Sequence, residues 1–209
     1  MTAPATRSLV VVTAGLSQPS ATRLLADRLA TTTDQILRES GVAPQTDVIE
    51  LRDHAQDLTN NLLTGFPSPR LRAAIGAVVG ADGLIAVSPI FSASYSGLFK
   101  LFFDVLERDA LAGKPVLIAA TAGSARHSLA LEHALRPLFA YLGAATVPTA
   151  VFAASEDWGE GDATADESLV ERIDRAAREL AGAVAGRTPP RPVDPFDDPT
   201  PFEELLAKP

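Results

Sequence analysis

Five short apolar runs punctuate the chain: SLVVVTA at 8–14, DVIEL at 47–51, GLIAVS at 83–88, PVLIAAT at 115–121 and VPTAVFA at 147–153. Three of them are nearly continuous in Val, Ile, Leu and Ala. A strand with one wet face alternates apolar and polar residues, whereas a continuous apolar run has no wet face and must be covered on both sides. Helical patterns lie between the runs. After SQPS, Leu24, Leu25, Leu29, Ile36 and Leu37 recur at helical spacing, with Arg23, Asp27 and Arg28 left for the wet side. Residues 68–80 open with Ser68 as a cap and Pro69 at the first helical position, and end at a glycine. Further helices are expected over 95–108, 127–142 and 165–185. Strand and helix alternating five times predict one α/β domain over 1–186, with a five-stranded parallel sheet, right-handed crossovers and helices on both faces.

Several function classes drop out on composition. The chain of 209 residues has no cysteine, so disulfides, thiolate nucleophiles and Cys-ligated metals are excluded. Its three histidines, His54, His127 and His133, lack metal-ligand spacing. Redox chemistry would therefore need a bound organic cofactor. A net charge of −8 argues against broad contact with nucleic acid or an anionic membrane. The uncharged stretch 137–155 is long enough to suggest a membrane span, but Gly143 and Pro148 fit a helix end, a turn and a strand better. A soluble cytoplasmic protein is the expectation. Residues 187–209 hold seven prolines and read as an extended tail outside the domain.

In a doubly wound sheet, ligands lie beyond the C-terminal strand ends where the strand order reverses, here at the loops after the first, third and fourth strands. The first of these, TAGLSQPSATR at 13–23, offers Thr13, Ser17, Ser20 and Thr22 before an amphipathic helix, with Gly15 for a tight turn. Hydroxyls and free amides at a helix start suit a terminal phosphate, while Ser20 also reads as a plain helix cap. Neither G-x-G-x-x-G nor G-x-x-x-x-G-K-[ST] occurs, which disfavours a dinucleotide fingerprint and a P-loop. In the second loop, Ser88 and Pro89 close the third strand. IFSASYS at 90–96 then carries small side chains past which a planar ring could approach. In the helix that follows, Leu98, Leu101, Phe102 and Val105 read as core, Phe99 or Phe103 as facing a subunit partner, and Lys100 with Asp104 as a surface pair. The third loop, TAGSARHS at 121–128, has Gly123 and polar atoms from Ser124 onward. Arg126 is a candidate for the phosphate of an incoming second nucleotide or a solvated cation, and His127 reads as a helix-start or stacking residue rather than a base. Pro137 has no N–H to return to His133, so a bend or bulge is expected at 133–137.

Together these loops resemble the flavodoxin-like NAD(P)H-dependent FMN reductases. The likeness is most specific over SPIFSASYSGLFKLFFDVLERDALAGKPVLIAATAGSARHSLALEHALRPLFAYLGA at 88–144, which is similar to the reductase components of two-component flavin monooxygenases, both the alkanesulfonate type and an actinobacterial branch associated with luciferase-like monooxygenases. The resemblance implies a flavodoxin-like three-layer sandwich with strand order 2-1-3-4-5. It implies that Ser17, Gln18, Ser20 and Thr22 hold the FMN phosphate. Pro89, Ile90, Phe91 and Ser92 would line the flavin after the third strand, and Thr121, Ala122, Gly123 and Ser124 would approach the ring from the fourth. Relatives usually carry two adjacent glycines in that last loop, where this chain reads TAGS. His133 falls at the place of an extra residue in a π-bulge of alkanesulfonate-type relatives.

The implied mechanism is hydride transfer from NADPH or NADH to flavin N5. It needs ring positioning and neither a catalytic side chain nor a metal. Implied partners are flavin and nicotinamide nucleotides and a flavin-dependent monooxygenase. A homodimer or homotetramer is expected from the aromatic helix faces, chiefly Phe99, Phe102 and Phe103. Two other uses of such a scaffold stay open at this point: a flavin-bound quinone or azo-type reductase, and a non-enzymatic flavodoxin-like electron carrier.

Overall fold

The computed structural model describes residues 5–158 and 168–187; the Pro-rich tail expected over 187–209 lies outside them apart from Arg187. Four parallel strands and an edge position filled by two short segments form the sheet, in the spatial order β2 (Val42–Glu50), β1 (Ala5–Thr13), β3 (Gly83–Phe91), β5 (Pro115–Ala122), then β6 (Ala145–Thr146) with β7 (Val151–Ala154). This is the expected 2-1-3-4-5 order. A two-residue strand, β4 (Ser94–Tyr95), folds back antiparallel on the end of β3.

The central strands alternate strictly between two cores. Leu9 and Val11, Ile85 and Val87, and Leu117 and Ala119 face α1 (Ala21–Glu39) and α6 (Leu169–Ala185). Val10 and Val12, Leu84 and Ala86, and Val116, Ile118 and Ala120 face the opposite layer. That layer contains α2 (Ala55–Thr64), α3 (Pro69–Gly80), α4 (Gly97–Asp104) and α5 (Arg136–Tyr141). Period-two alternation in runs apolar at every position produces two buried faces.

Caps follow the sequence. Ser68 accepts from the Leu71 amide at 3.1 Å with Pro69 in the first turn of α3, and Ser168 with Glu171 forms a capping box on α6. α2 is not among the helices expected from the sequence, because Thr59, Asn60 and Asn61 weaken its helical pattern; it ends at Gly65 with a φ of 77°. β2 is longer than the run expected from the sequence, an edge strand carrying Pro44 in which, of its nine residues, only Ile49 is buried.

The bulge expected near Pro137 is a π-helical turn at Leu131–Leu135, with the Arg136 amide bonded back to the Leu131 carbonyl. Phe99, Phe102 and Phe103 correct the sequence expectation. They are buried within this one chain, where Phe99 and Phe103 lie 4.7 Å apart by ring centroid and both meet Phe139, so they offer no face to a subunit partner. A helix must bury its apolar face, and here α5 takes the partner's place. Lys100 and Asp104 do pair on the surface. The 137–155 stretch is helix, turn and two strand segments, and no helix among the described residues is long and apolar enough to cross a membrane.

The edge position carries a bulge. Val116 pairs with Thr146 and Ala119 with Val151, so residues 147–150 oppose only Leu117 and Ile118. Side chains hold it: Arg136 donates to the Thr146 hydroxyl and to the carbonyls of Val147 and Pro148 at 3.0–3.1 Å, and Glu179 accepts from the Thr149 amide and hydroxyl at 2.7 Å.

At the opposite end of the sheet from the reversal loops, Lys114 is 1% exposed. Its ammonium donates to the carbonyls of Val79, at 3.0 Å, and Ala81, closing the C-terminal turn of α3. Burial, then the charge of Arg187, pushes its pKa from 10.5 to about 8 against the pull of Asp82. Between these values the unfolded chain keeps a proton that the folded chain has released, so stability rises with pH across that window. Urea unfolding of wild type and Lys114→Met should show the wild type gaining up to ~3 kcal/mol on the variant from pH 8 to 10.5. A pH-independent difference would contradict the burial of this charge.

Candidate functional site

β1 and β3 lie side by side, but the chain leaves them towards opposite faces, into α1 and α4, which opens a crevice at their C-terminal ends. The three candidate loops meet there.

The loop after β1 closes on itself. A Cβ at Gly15 would lie 2.1 Å from Ser20 Oγ and 3.2 Å from Thr22 Cβ, so only glycine lets the loop fold over. Ser20 Oγ accepts from the Arg23 amide at 3.2 Å, and the Leu24 amide bonds the Ser20 carbonyl. That leaves the Ala21 and Thr22 amides at the open end of α1. Ser17, Gln18 and Ser20 line a hollow of about 260 Å³ with Arg23, Glu50 and Arg52. A chain of charges braces its wall: Asp27 and Glu50 both pair with Arg23, and Glu50 also pairs with Arg52 at 2.7 Å. Arg52 in turn reaches the Ser17 carbonyl and, with the Gln18 amide turned to satisfy both groups, the Gln18 side-chain oxygen. Thr13 Oγ1, at the end of β1, is buried without a hydrogen-bond partner among the described residues.

The Thr22 hydroxyl is spent inside. It shares a buried hydrogen bond of 2.8 Å with the Thr121 hydroxyl, which ties the start of α1 to the end of β5. The first loop is thereby fixed to the third across β3.

Pro89, Ile90, Phe91, Thr121, Ala122 and Gly123 line a second hollow of about 440 Å³, together with Ala21, Ser155 and Trp158. Phe91 is 47% exposed on its rim. The buried Ser88 hydroxyl donates to the Pro89 carbonyl at 2.9 Å and accepts from the Ser96 amide at 3.0 Å, locking β3 to the start of α4. Between Phe91 and Ser94 the chain turns on Ser92 and Ala93, with φ of 50° and 69°. Two left-handed residues in a two-residue hairpin loop make a primed turn, for which Asn-Gly is the unstrained choice. Ser-Ala here costs on the order of 1–2 kcal/mol per residue, held by the β3–β4 pairing and the Ser88 bonds. Ser92 therefore sits at the hairpin tip, not in the hollow's wall. Ser124 is extended and leads into a single turn, where the Ala125 amide donates to Glu156 at 3.3 Å.

Of the expected residues, Ser17, Gln18 and Ser20 line the first hollow and Pro89 through Phe91 with Thr121 through Gly123 line the second; Thr22, Ser92 and Ser124 flank them. Arg52, Ser155 and Trp158 escaped the sequence reading. Trp158, the chain's one tryptophan, was the available signal. Arg52 lies two residues beyond Glu50 in the ELRD stretch at the end of β2, a charge cluster that spacing alone assigns to no role.

Comparison with known proteins identifies the family of this chain. The family described as NADPH-dependent FMN reductase matches residues 8–159. The chain is 37% identical over 182 residues to an FMN reductase (NADPH) of Pseudomonas aeruginosa, covering 86% of this chain and 94% of that one. It is 38% identical over 174 residues to the NADH-dependent FMN reductase SfnF of Pseudomonas fluorescens, covering 83% and 89%. An oxidoreductase structure from Corynebacterium diphtheriae superposes with a TM-score of 0.83 at 46% identity, covering 88% of this chain and 99% of that one.

Gly15→Ala should displace Ser20 from its capping position and open the first loop. The expected result is a loss of about 1 kcal/mol of stability, a fall in Tm of about 2–4 °C, and FMN binding weakened at least ~10-fold. Unchanged FMN affinity by flavin-fluorescence titration would remove this loop from the binding site.

Proposed function

The chain belongs to the NADPH-dependent FMN reductase family, and on that basis we propose that it oxidises NADPH or NADH to reduce FMN and passes the reduced flavin to a partner monooxygenase. When bound, FMN supplies the acceptor for a hydride from the reduced nicotinamide. The chain's own residues fit it in two parts. Ser17, Ser20 and the open amides of Ala21 and Thr22 offer short donors around a small anion, within a loop that only Gly15 allows. The single observation that carries the reading is the Thr22–Thr121 hydrogen bond. It holds this anion site at fixed distance from the hollow of Pro89–Phe91 and Thr121–Gly123, where a flat ring would rest.

No side chain is needed as nucleophile or base. Backbone groups of Phe91, Ala122 and Gly123 would hold the ring edge of a bound flavin, and the Ser92–Ala93 turn places Phe91 on the rim of that hollow. Pro89, Ile90 and Ala122 keep water from the inner wall. Delivery to a monooxygenase is supported by the resemblance of residues 88–144 to the reductase components of two-component flavin monooxygenases, and the cytoplasm, where reduced nicotinamides are held, is the compartment that suits the reaction.

A homodimer or homotetramer is proposed through the α4–α5 face, where Tyr141 is 71% and Leu129 is 64% exposed beside the π-helical turn that carries His133. Size-exclusion light scattering should give a multiple of the chain mass, and a monomer at working concentration contradicts this face.

Steady-state oxidation of NADPH and NADH with FMN, FAD, riboflavin and menadione tests the reaction. Turnover should be fastest with FMN. No oxidation of either nucleotide with FMN present overturns the reading. In parallel, a colourless protein as purified would mark FMN as a diffusible product, and a yellow one as a resident group.

A further inference from the structure

A third cavity adjoins the two just described and is used by neither. It is a groove of about 570 Å³ between α1 and α6, lined by Asp27, Arg28, Thr31, Thr32, Val170, Ile173 and Asp174. Val170 is 67% exposed, so apolar wall and threonine hydroxyls both face open space.

Three guanidinium groups line the cavities around α1, and two are neutralised. Arg23 is held by Asp27 and Glu50, and Arg52 by Glu50. The remaining acid of the groove, Asp174, is engaged by Arg178 through two bonds of 2.8 and 3.0 Å. Among the described residues Arg28 has no acidic partner. Its guanidinium lies 5.1 Å over the ring of Trp158, which packs on the α1–α6 core. Stacking restricts the side chain while leaving its in-plane donors unspent. Trp158 also forms part of the wall of the hollow assigned to the flavin ring. The Arg28–Trp158 stack is thus the shared border between that hollow and the groove.

A chain of net charge −8 repels polyanions, so an uncompensated, pre-oriented guanidinium at such a border is a local exception suited to a phosphate. A nicotinamide dinucleotide has the matching outline: a ring that must reach the flavin hollow, a pyrophosphate in the middle and an adenosine beyond. We propose that Arg28 binds the pyrophosphate of the incoming dinucleotide and that the α1–α6 groove takes its adenosine, with Thr31 and Thr32 as hydroxyl partners and Val170 and Ile173 beneath the base. This deepens the reductase reading and rests on it. It also replaces Arg126, which lines neither the flavin hollow nor the groove, as the phosphate ligand.

The test uses the full chain and four proteins: wild type, Arg28→Gln, Arg126→Gln, and Arg38→Gln as a charge control lower on α1 and outside the groove. Arg28→Gln should raise KM by about 10- to 100-fold for NADPH and NADH alike, the loss expected for a charge-assisted contact. Its FMN affinity and melting temperature should stay at wild-type values, and Arg38→Gln should match wild type throughout. In a second readout independent of turnover, ADP-ribose added to the wild type should shift NMR amide signals of α1 and α6, and Arg28→Gln should abolish the shifts. The proposal is overturned by unchanged KM values in Arg28→Gln, by a rise confined to Arg126→Gln, or by ADP-ribose leaving the wild-type groove signals unmoved. A wild type that oxidises neither nucleotide but binds ADP-ribose at the groove would fail the reductase reading alone.

Discussion

β1 from Leu9 to Val12, and β3 and β5 over most of their lengths, are continuously apolar, so neither face of the sheet can be left to water and helices must return across both. Parallel strands with right-handed crossovers then put α1 and α6 on one side and α2 to α5 on the other. The reversal between β1 and β3 is the geometric result. Two loops that leave the same sheet edge in opposite directions cannot cover the gap between them, and the crevice of the site is that gap.

What the rest of the chain adds is stiffness at this edge. The Thr22–Thr121 bond spans β3, Ser88 joins β3 to α4, and the charge chain from Asp27 through Arg23 and Glu50 to Arg52 braces the first loop from outside. Each uses polar groups that are costly to bury unless paired, and most are paired with another loop rather than within one. Strain at Ser92 and Ala93 is tolerated for the same reason, since the surrounding bonds over-determine the turn. At the other end of the sheet the contacts are of another kind: Lys114 closes α3 and Asp82 accepts from the Ser8 amide.

Legibility in the sequence followed the same division. Elements with strong period and caps, such as α1, α3 and the central strands, were readable because local chemistry and burial agree. β2 was half hidden because an edge strand with Pro44 lacks the buried pattern, and α2 because Asn60, Asn61 and Thr59 dilute its helical signal. The irregular turn at Leu131–Leu135 was predictable from one proline, since a missing N–H must be accommodated. Loop residues of the site were found by their small, polar character. Arg28, Arg52 and Trp158 were not connected to it, because their roles depend on which neighbour neutralises which charge, a long-range fact that spacing does not carry. The aromatic face of α4 shows the converse error: periodicity said that Phe99 and Phe103 are buried against something, and only the fold says that it is Phe139.

The central claim is that one rigid crevice joins an anion site on the Ser17–Thr22 loop to a ring site between β3 and β5. Equilibrium titration of the full chain with FMN and with riboflavin, followed by quenching of Trp158, tests it most directly, because the two ligands differ only in the phosphate. The account predicts quenching by both, with FMN bound at least ~10-fold tighter, the worth of charge-assisted hydrogen bonds to one phosphate. Equal affinities, or no quenching by either ligand, would contradict it.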